Sequence, residues 1–145
     1  MIQSRLSQRG FSIIEVLVAA LILSIGMLGL AGLQIRTLRN NQSALERGIA
    51  VVETHAIADA LRGDRINAAN NLFDIALTDP APTPGASFAE TVLAGWRENL
   101  ISELGPDATG AIDCNGSLCV ITVQWDDSRG TAGSTTFSIQ TSVQI

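Results

Sequence analysis

The sequence predicts an α+β chain: a long N-terminal helix, apolar in its first half, packed against a small antiparallel β-sheet, with a second, short helix. Three observations predict it. Residues 16–33 carry no charge. Apolar residues then recur at helical spacing from Leu38 to Ala60, and residues 119–145 hold two runs with the period-two alternation of strands. At 145 residues the chain is one domain in size. Nine arginines against 14 acids give a formal charge of −5, which argues against a nucleic-acid-binding face.

Val16 to Leu33 reads VLVAALILSIGMLGLAGL, and Phe11 to Ile14 extend the apolar run beyond Glu15. As a helix, 18 to 23 residues reach roughly 27–35 Å, enough to cross a hydrocarbon core of about 30 Å. The remaining chain is too small to enclose such a helix on all sides. A secretory signal has a shorter apolar core followed by a cleavage site. Here the run is longer, and an acid interrupts it. A carboxylate in an apolar helix costs about 2.5–3.5 kcal/mol at the bilayer centre and less near an end. Glu15 is therefore a functional candidate, the alternative being a side chain that reaches the interface. Gly26, Gly29 and Gly32 lie three apart in this stretch, either for close helix packing or as a weak point where the helix stretches.

The helix is expected to continue to about Arg62. Leu38, Leu45, Ile49, Val52, Ala56 and Ala60 form one apolar stripe, expected to pack on a globular head. Arg36, Arg39, Glu46, Arg47, Glu53 and Asp59 occupy the other face. Asn67 to Asn71 reads as a frayed helical turn, and Asp79-Pro-Ala-Pro-Thr-Pro-Gly85 as a loop. Ser87-Phe-Ala-Glu90 matches a capping box and opens a second helix, about Ser87 to Leu104, with Trp96 as a core anchor and Gly105-Pro106 as its stop. Cys119, Ile121, Val123 and Trp125 share one strand face. Phe137, Ile139, Thr141, Val143 and Ile145 share another, and a short strand near Ala111 to Asp113 adds a third. Asp126 to Gly133 is the turn between the long strands, and its Asp126-Asp127 pair reads as solvated acid or, less readily, as a calcium ligand.

Gly10-Phe11-Ser12-Ile13-Ile14-Glu15 follows a short leader with Arg5 and Arg9 and precedes the apolar helix. This combination resembles the class III signal of the type IV pilin superfamily, and the fold it implies is type IV pilin-like. The resemblance implies that prepilin peptidase cuts between Gly10 and Phe11 and methylates the new Phe11 amine. It also implies that Glu15 pairs with the Phe11 amine of a neighbouring subunit and sets axial register during assembly. Loss of the leader leaves seven arginines against 14 acids, a formal charge of −7. Major pilins usually carry a proline in the span, and this chain has none there.

The function implied is that of a minor pilin in a tip-associated complex that primes type IV pilus assembly and supports adhesion and twitching motility. The alternative is a minor pseudopilin of a type II secretion system. The implied partners are other minor pilins, the major pilin, prepilin peptidase and the inner-membrane assembly machinery. The implied location is the bacterial inner membrane, single-pass with the head in the periplasm, then the pilus at the cell surface. The expected divisions are a leader at 1–10, a membrane or filament-core helix at 11–33, an amphipathic stem at 34–62 and a head at 63–145.

Cys114 and Cys119 bracket Asn115 to Leu118, a four-residue hairpin loop that sets them opposite one another at disulfide distance. Export favours their oxidation. A metal site would need further ligands, and the chain's single His, His55, lies on the stem. No catalytic constellation, phosphate loop or nucleophile elbow is present, so the expectation is a non-enzyme without cofactor, catalytic residue or metal.

Overall fold

The structure is a computed structural model that describes residues 10–85, 87–130 and 133–145. Leader residues 1–9 lie outside the described residues. The chain divides into two compact units, Met1–Leu38 and Arg39–Ile145.

In the first unit, the described residues from Ile13 onward belong to helix α1 (Ile13–Gly63). The helix begins two residues later than the apolar pattern suggests. The carbonyl of Ser12 accepts the Glu15 and Val16 N–H groups at 3.0 and 3.3 Å, and serine is far better suited than phenylalanine to the position before a first turn. Gly10, Phe11 and Ser12 stay non-helical and exposed. An 18-residue window of α1 has a mean hydropathy of 2.5, and none of it is buried within the chain. A core helix would show the reverse. Ser24 Oγ donates to the Ala20 carbonyl at 2.7 Å and Thr37 Oγ1 to the Leu33 carbonyl at 3.0 Å. Both hydroxyls are thereby satisfied within the helix.

The second unit holds the rest of α1, α2 (Arg65–Ala69), α3 (Phe88–Leu104) and three strands, β1 (Thr109–Asn115), β2 (Leu118–Trp125) and β3 (Phe137–Gln144). The strands form an antiparallel sheet in the order β1-β2-β3. The first is longer than the sequence signal indicated, because it pairs with β2 along its whole length, from Thr109 opposite Gln124 to Asn115 opposite Leu118, while Ile75 bridges Ile112 on its other side. β1 and β2 join through Gly116 and Ser117 alone, and Gly116 takes φ +62°, the left-handed value that a tight hairpin turn requires. The loop expected between the cysteines is therefore shorter, with Asn115 already paired to Leu118.

Helix α3 begins at a complete capping box. Ser87 Oγ accepts the Glu90 N–H at 3.1 Å, and Glu90 Oε2 accepts the Ser87 N–H at 3.3 Å. The core gathers Leu93, Trp96, Leu100 and Leu104 of α3, Ile57 and Leu61 of α1, Phe73, and the inner faces of β1 and β2. Trp125 meets Phe137 edge-to-face at 5.0 Å between centroids. α2 is a short helix that ends at Ala69, and Asn71 then adopts φ +63°.

One expectation holds only in part. Of the α1 stripe meant for the head, Ile49 and Ala60 pack half-buried against the core, but Leu45 and Val52 are each 64% exposed. The buried positions are Ser43, Glu46, Ala50, Thr54, Ile57, Ala58 and Leu61, centred about a third of a turn away around the helix. Small side chains explain the choice. Ser43, Ala50 and Ala58 allow close approach of the packed elements, whereas Leu45 and Val52 would hold them off. Thr54 satisfies its own hydroxyl on the Ala50 carbonyl at 2.7 Å, so burial leaves no unpaired group there.

Candidate functional site

The residues singled out at the N-terminus sit together. Phe11 is 84% exposed and lies outside the helix, so the Gly10–Phe11 peptide bond is not protected by helical hydrogen bonds. An extended, accessible peptide is what a peptidase must bind. Glu15 is exposed and lies in the first turn of α1, where the positive end of the helix dipole favours a carboxylate. Its side chain is free to meet a cation from outside the chain. The apolar side chains that follow, Val16, Leu17, Leu21 and onward, are all exposed. This segment offers the chain nothing internally; its surface is suited to lipid or to other helices.

Cys114 and Cys119 face each other in register across β1 and β2 and form a disulfide, with their Cα atoms 4.0 Å apart. Both are buried, and neither is a free thiol. Next to them Asp74 Oδ1 accepts the Cys114 N–H at 3.0 Å. Burial nevertheless raises the Asp74 carboxyl pKa, opposed by that hydrogen bond and assisted by Asp113. Among the described residues, no group of three His, Cys, Asp or Glu side chains is placed to hold a metal ion. His55 lies exposed on α1.

The acidic turn is not a solvated pair. Asp126 is partly exposed and accepts the Ser128 N–H at 2.8 Å. Hydrogen bonds from Ser128 hold its pKa below the usual range, with help from Arg129. Asp127, however, is 1% exposed. Its Oδ2 accepts from Ser43 Oγ at 2.9 Å and from Arg47 at 3.2 Å. Arg129 approaches buried Glu46 at 3.5 Å, and the Arg47 guanidinium lies 4.4 Å from the centre of the Phe137 ring. The loop after β2 is thus fastened to α1 by Ser43 and by Arg47 and Glu46, two residues that the helical pattern sets opposite the apolar stripe.

Two more polar residues take up positions that periodicity did not indicate, Arg97 and, from the polar face of the stem, Glu53. Arg97 is buried in α3 and bridges two segments, donating to Thr109 Oγ1 at 2.5 Å and to the Ala76 carbonyl at 2.7 Å. Burial lowers its pKa, and Asp79 partly restores it. Glu53 lines a groove between α1 and α3 together with Trp96. Burial raises the Glu53 carboxyl pKa, the negative charge of Glu103 raises it further, and Asn99 opposes the shift.

Comparison with known families gives one finding. The family described as the prokaryotic N-terminal methylation motif matches residues 5–31. Neither a curated protein nor a solved structure matches the chain. The motif supports a type IV pilin-like superfamily, whose members are structural rather than enzymatic, and it implies prepilin peptidase processing and a membrane anchor. The long apolar helix, small sheet and extra helix form a pilin-like α+β architecture.

Proposed function

We propose that this chain is a minor pilin, most like the pilus modification protein PilV, that acts in priming and assembly of the type IV pilus. The observation that carries the reading is the N-terminal arrangement. An exposed, non-helical Gly10–Phe11 bond is followed by a helix with Glu15 in its first turn and an apolar surface that the chain leaves uncovered. Cleavage between Gly10 and Phe11 frees an amine, which prepilin peptidase methylates and which remains cationic. In the membrane, that amine and Glu15 of an adjoining subunit neutralise one another. Each charge is expensive alone in hydrocarbon, so the assembly favours the register in which they meet. Residues 11–33 then serve first as the membrane span and later as filament core, residues 34–62 as stem and residues 63–145 as head. The other minor pilins and the major pilin are its neighbours, at the inner membrane and then in a tip-associated complex that supports adhesion and twitching motility.

Two substitutions test the reading. Replacing Gly10 by Val leaves the full-length mass in the membrane, whereas Glu15→Ala gives normal cleavage but loss from sheared pili. Normal entry of Glu15→Ala into pili would overturn the role of the carboxylate. Retention of the cleaved chain in a secretion complex, with none in pili, would assign it instead as a minor pseudopilin of a type II secretion system.

A further inference from the structure

The two edges of the sheet are finished differently. Ile112 exchanges backbone hydrogen bonds with Ile75 at 2.9 and 3.0 Å, Asp74 Oδ1 accepts the Cys114 N–H at 3.0 Å, and Thr109 Oγ1 donates to the Leu77 carbonyl at 3.1 Å. The segment before β1 thus closes the outer side of that strand. β3 has no such cover: among the described residues it pairs with β2 alone. The register shows which of its groups are left over. In an antiparallel ladder the backbone groups of successive residues point to opposite sides of the strand. Ile145 donates to the Ser117 carbonyl at 2.9 Å, so the odd-numbered residues of β3 bond to β2. Ile112, facing Ile75, sets the same parity from the far side of the sheet. The N–H and C=O groups of Ser138, Gln140, Ser142 and Gln144 therefore point off the free edge, and none of them bonds to another described residue.

Edge strands of proteins that stay single are guarded by a charge, a proline, a bulge or a covering segment. Among the described residues β3 has none of these. Residues 134–145 contain no charged side chain and no proline, and the pairing with β2 runs one to one from Phe137 to Gln144. Four N–H groups alternating with four C=O groups along one line match one kind of partner, an extended backbone. Direction narrows the choice. Phe137 lies under Arg47 of α1, and the Ile145 carbonyl accepts from Arg65, just past the end of α1, at 3.0 Å. β3 therefore runs the same way as α1. A second copy offering its own β3 antiparallel would have its α1 running the opposite way, whereas copies anchored in one membrane by the same helix run together. The strand that fits comes from a different protein.

We propose that a strand of a different subunit adds antiparallel to β3 and extends the sheet. Its backbone exchanges hydrogen bonds with Ser138, Gln140, Ser142 and Gln144. On the solvent face these four exposed side chains call for Ser, Thr, Asn or Gln opposite them. On the other face the incoming strand sets apolar residues beside Phe137, Ile139 and Val143, which pack on the core. With 14 acids against nine arginines in the chain, an acidic strand is disfavoured. This is strand addition at a sheet edge. It rests on the reading that the chain is anchored in a membrane beside other subunits.

The test uses the full chain in its native membranes, with photoreactive p-benzoylphenylalanine in place of Ser138 or of Gln144, both exposed. The expected products are crosslinks to one segment of a different protein in reversed order. The site reached from position 144 lies about six residues before the site reached from position 138. Ser142→Pro removes an N–H that points off the edge and leaves the bonds to β2, so it lowers both yields about tenfold. Unchanged abundance and an intact Cys114–Cys119 disulfide show that the variant is folded. Where the variant fails to accumulate, hydrogen exchange on the unaltered chain decides. In the membranes the peptide spanning residues 137–145 protects four more amides, one for each outward residue, than in the chain dispersed in detergent. Crosslinks only to lipid, to a second copy of this chain or to a segment read in the same order overturn the proposal, as does a yield indifferent to Ser142→Pro or an exchange equal in both states. A chain found in sheared pili with equal exchange defeats this inference alone. A reversed-order crosslink in a chain that never enters pili defeats the pilus reading alone.

Discussion

Ser43 donates its hydroxyl proton to Asp127 Oδ2 at 2.9 Å across 84 residues of sequence. The pair joins the long helix to the loop that follows β2. It explains why a serine sits on the buried face of α1 and why an acid can be 1% exposed. Arg47, half exposed, adds a second donor to the same oxygen at 3.2 Å and covers Phe137. The result is a polar joint beside an apolar core.

Removing the acid should loosen that joint. Asp127→Ala is expected to destabilise the second unit by about 2–3 kcal/mol and Ser43→Ala by about 1 kcal/mol. Thermal unfolding followed by tryptophan emission measures both. The double mutant should lose less than the sum, since the two residues share one hydrogen bond. Full additivity would show that they stabilise the fold separately.

Gly110 has no room for a side chain, because a Cβ there would collide with the six-membered ring of Trp96. Gly110→Ala is expected to cost about 1–3 kcal/mol through displacement of that ring. The Trp96 indole signal in an NMR spectrum should move, while that of Trp125, packed on Phe137, should stay.

Glu53 sets a pH dependence. Its folded pKa lies above the ordinary 4.5, chiefly from burial. The folded state therefore binds the extra proton between the two values, and stability falls as pH rises through that interval. Glu53→Gln removes the penalty. It should raise stability at neutral pH by less than about 0.5 kcal/mol, since the groove is open to solvent. The advantage should fade as pH drops below the ordinary glutamate range. Melting temperatures of both forms at pH 7 and pH 4 check the sign.

The disulfide closes a short loop, with the cysteines five apart in sequence. Chain-entropy arguments give it about 2 kcal/mol. Cys114→Ser with Cys119→Ser should lower the melting temperature without changing the sheet register, because Gly116 and the flanking strand pairs already fix the turn. Labelling of non-reduced, denatured wild-type protein should find no free thiol.

Much of this was legible in the residues. Cys119, Ile121, Val123 and Trp125 alternate because one face of β2 is fully buried, and all four are buried. Ser87 and Glu90 carry their own local logic, which needs no distant partner. The N-terminal motif is likewise local, and its described residues, Gly10 to Glu15, run directly into the first turn of α1. What could not be read depends on long-range contact. The burial of Asp127 requires Ser43 and Arg47, more than 75 residues away by the sequence positions. The inner face of α1 adds Ser43, Glu46 and Thr54, which periodicity counts as polar, to Ala50, Ile57, Ala58 and Leu61, while Leu45 and Val52 point elsewhere. Apolar patterning marks surfaces to be covered, but it does not say by which chain.

The stretch from Pro80 to Gly85 is proline-rich and mostly exposed, and it contributes no rung to any sheet. Such a segment tolerates insertion. A short epitope placed after Thr83 would leave the core intact and give antibodies a landmark, so that immunogold microscopy tests whether any copies lie on a fibre.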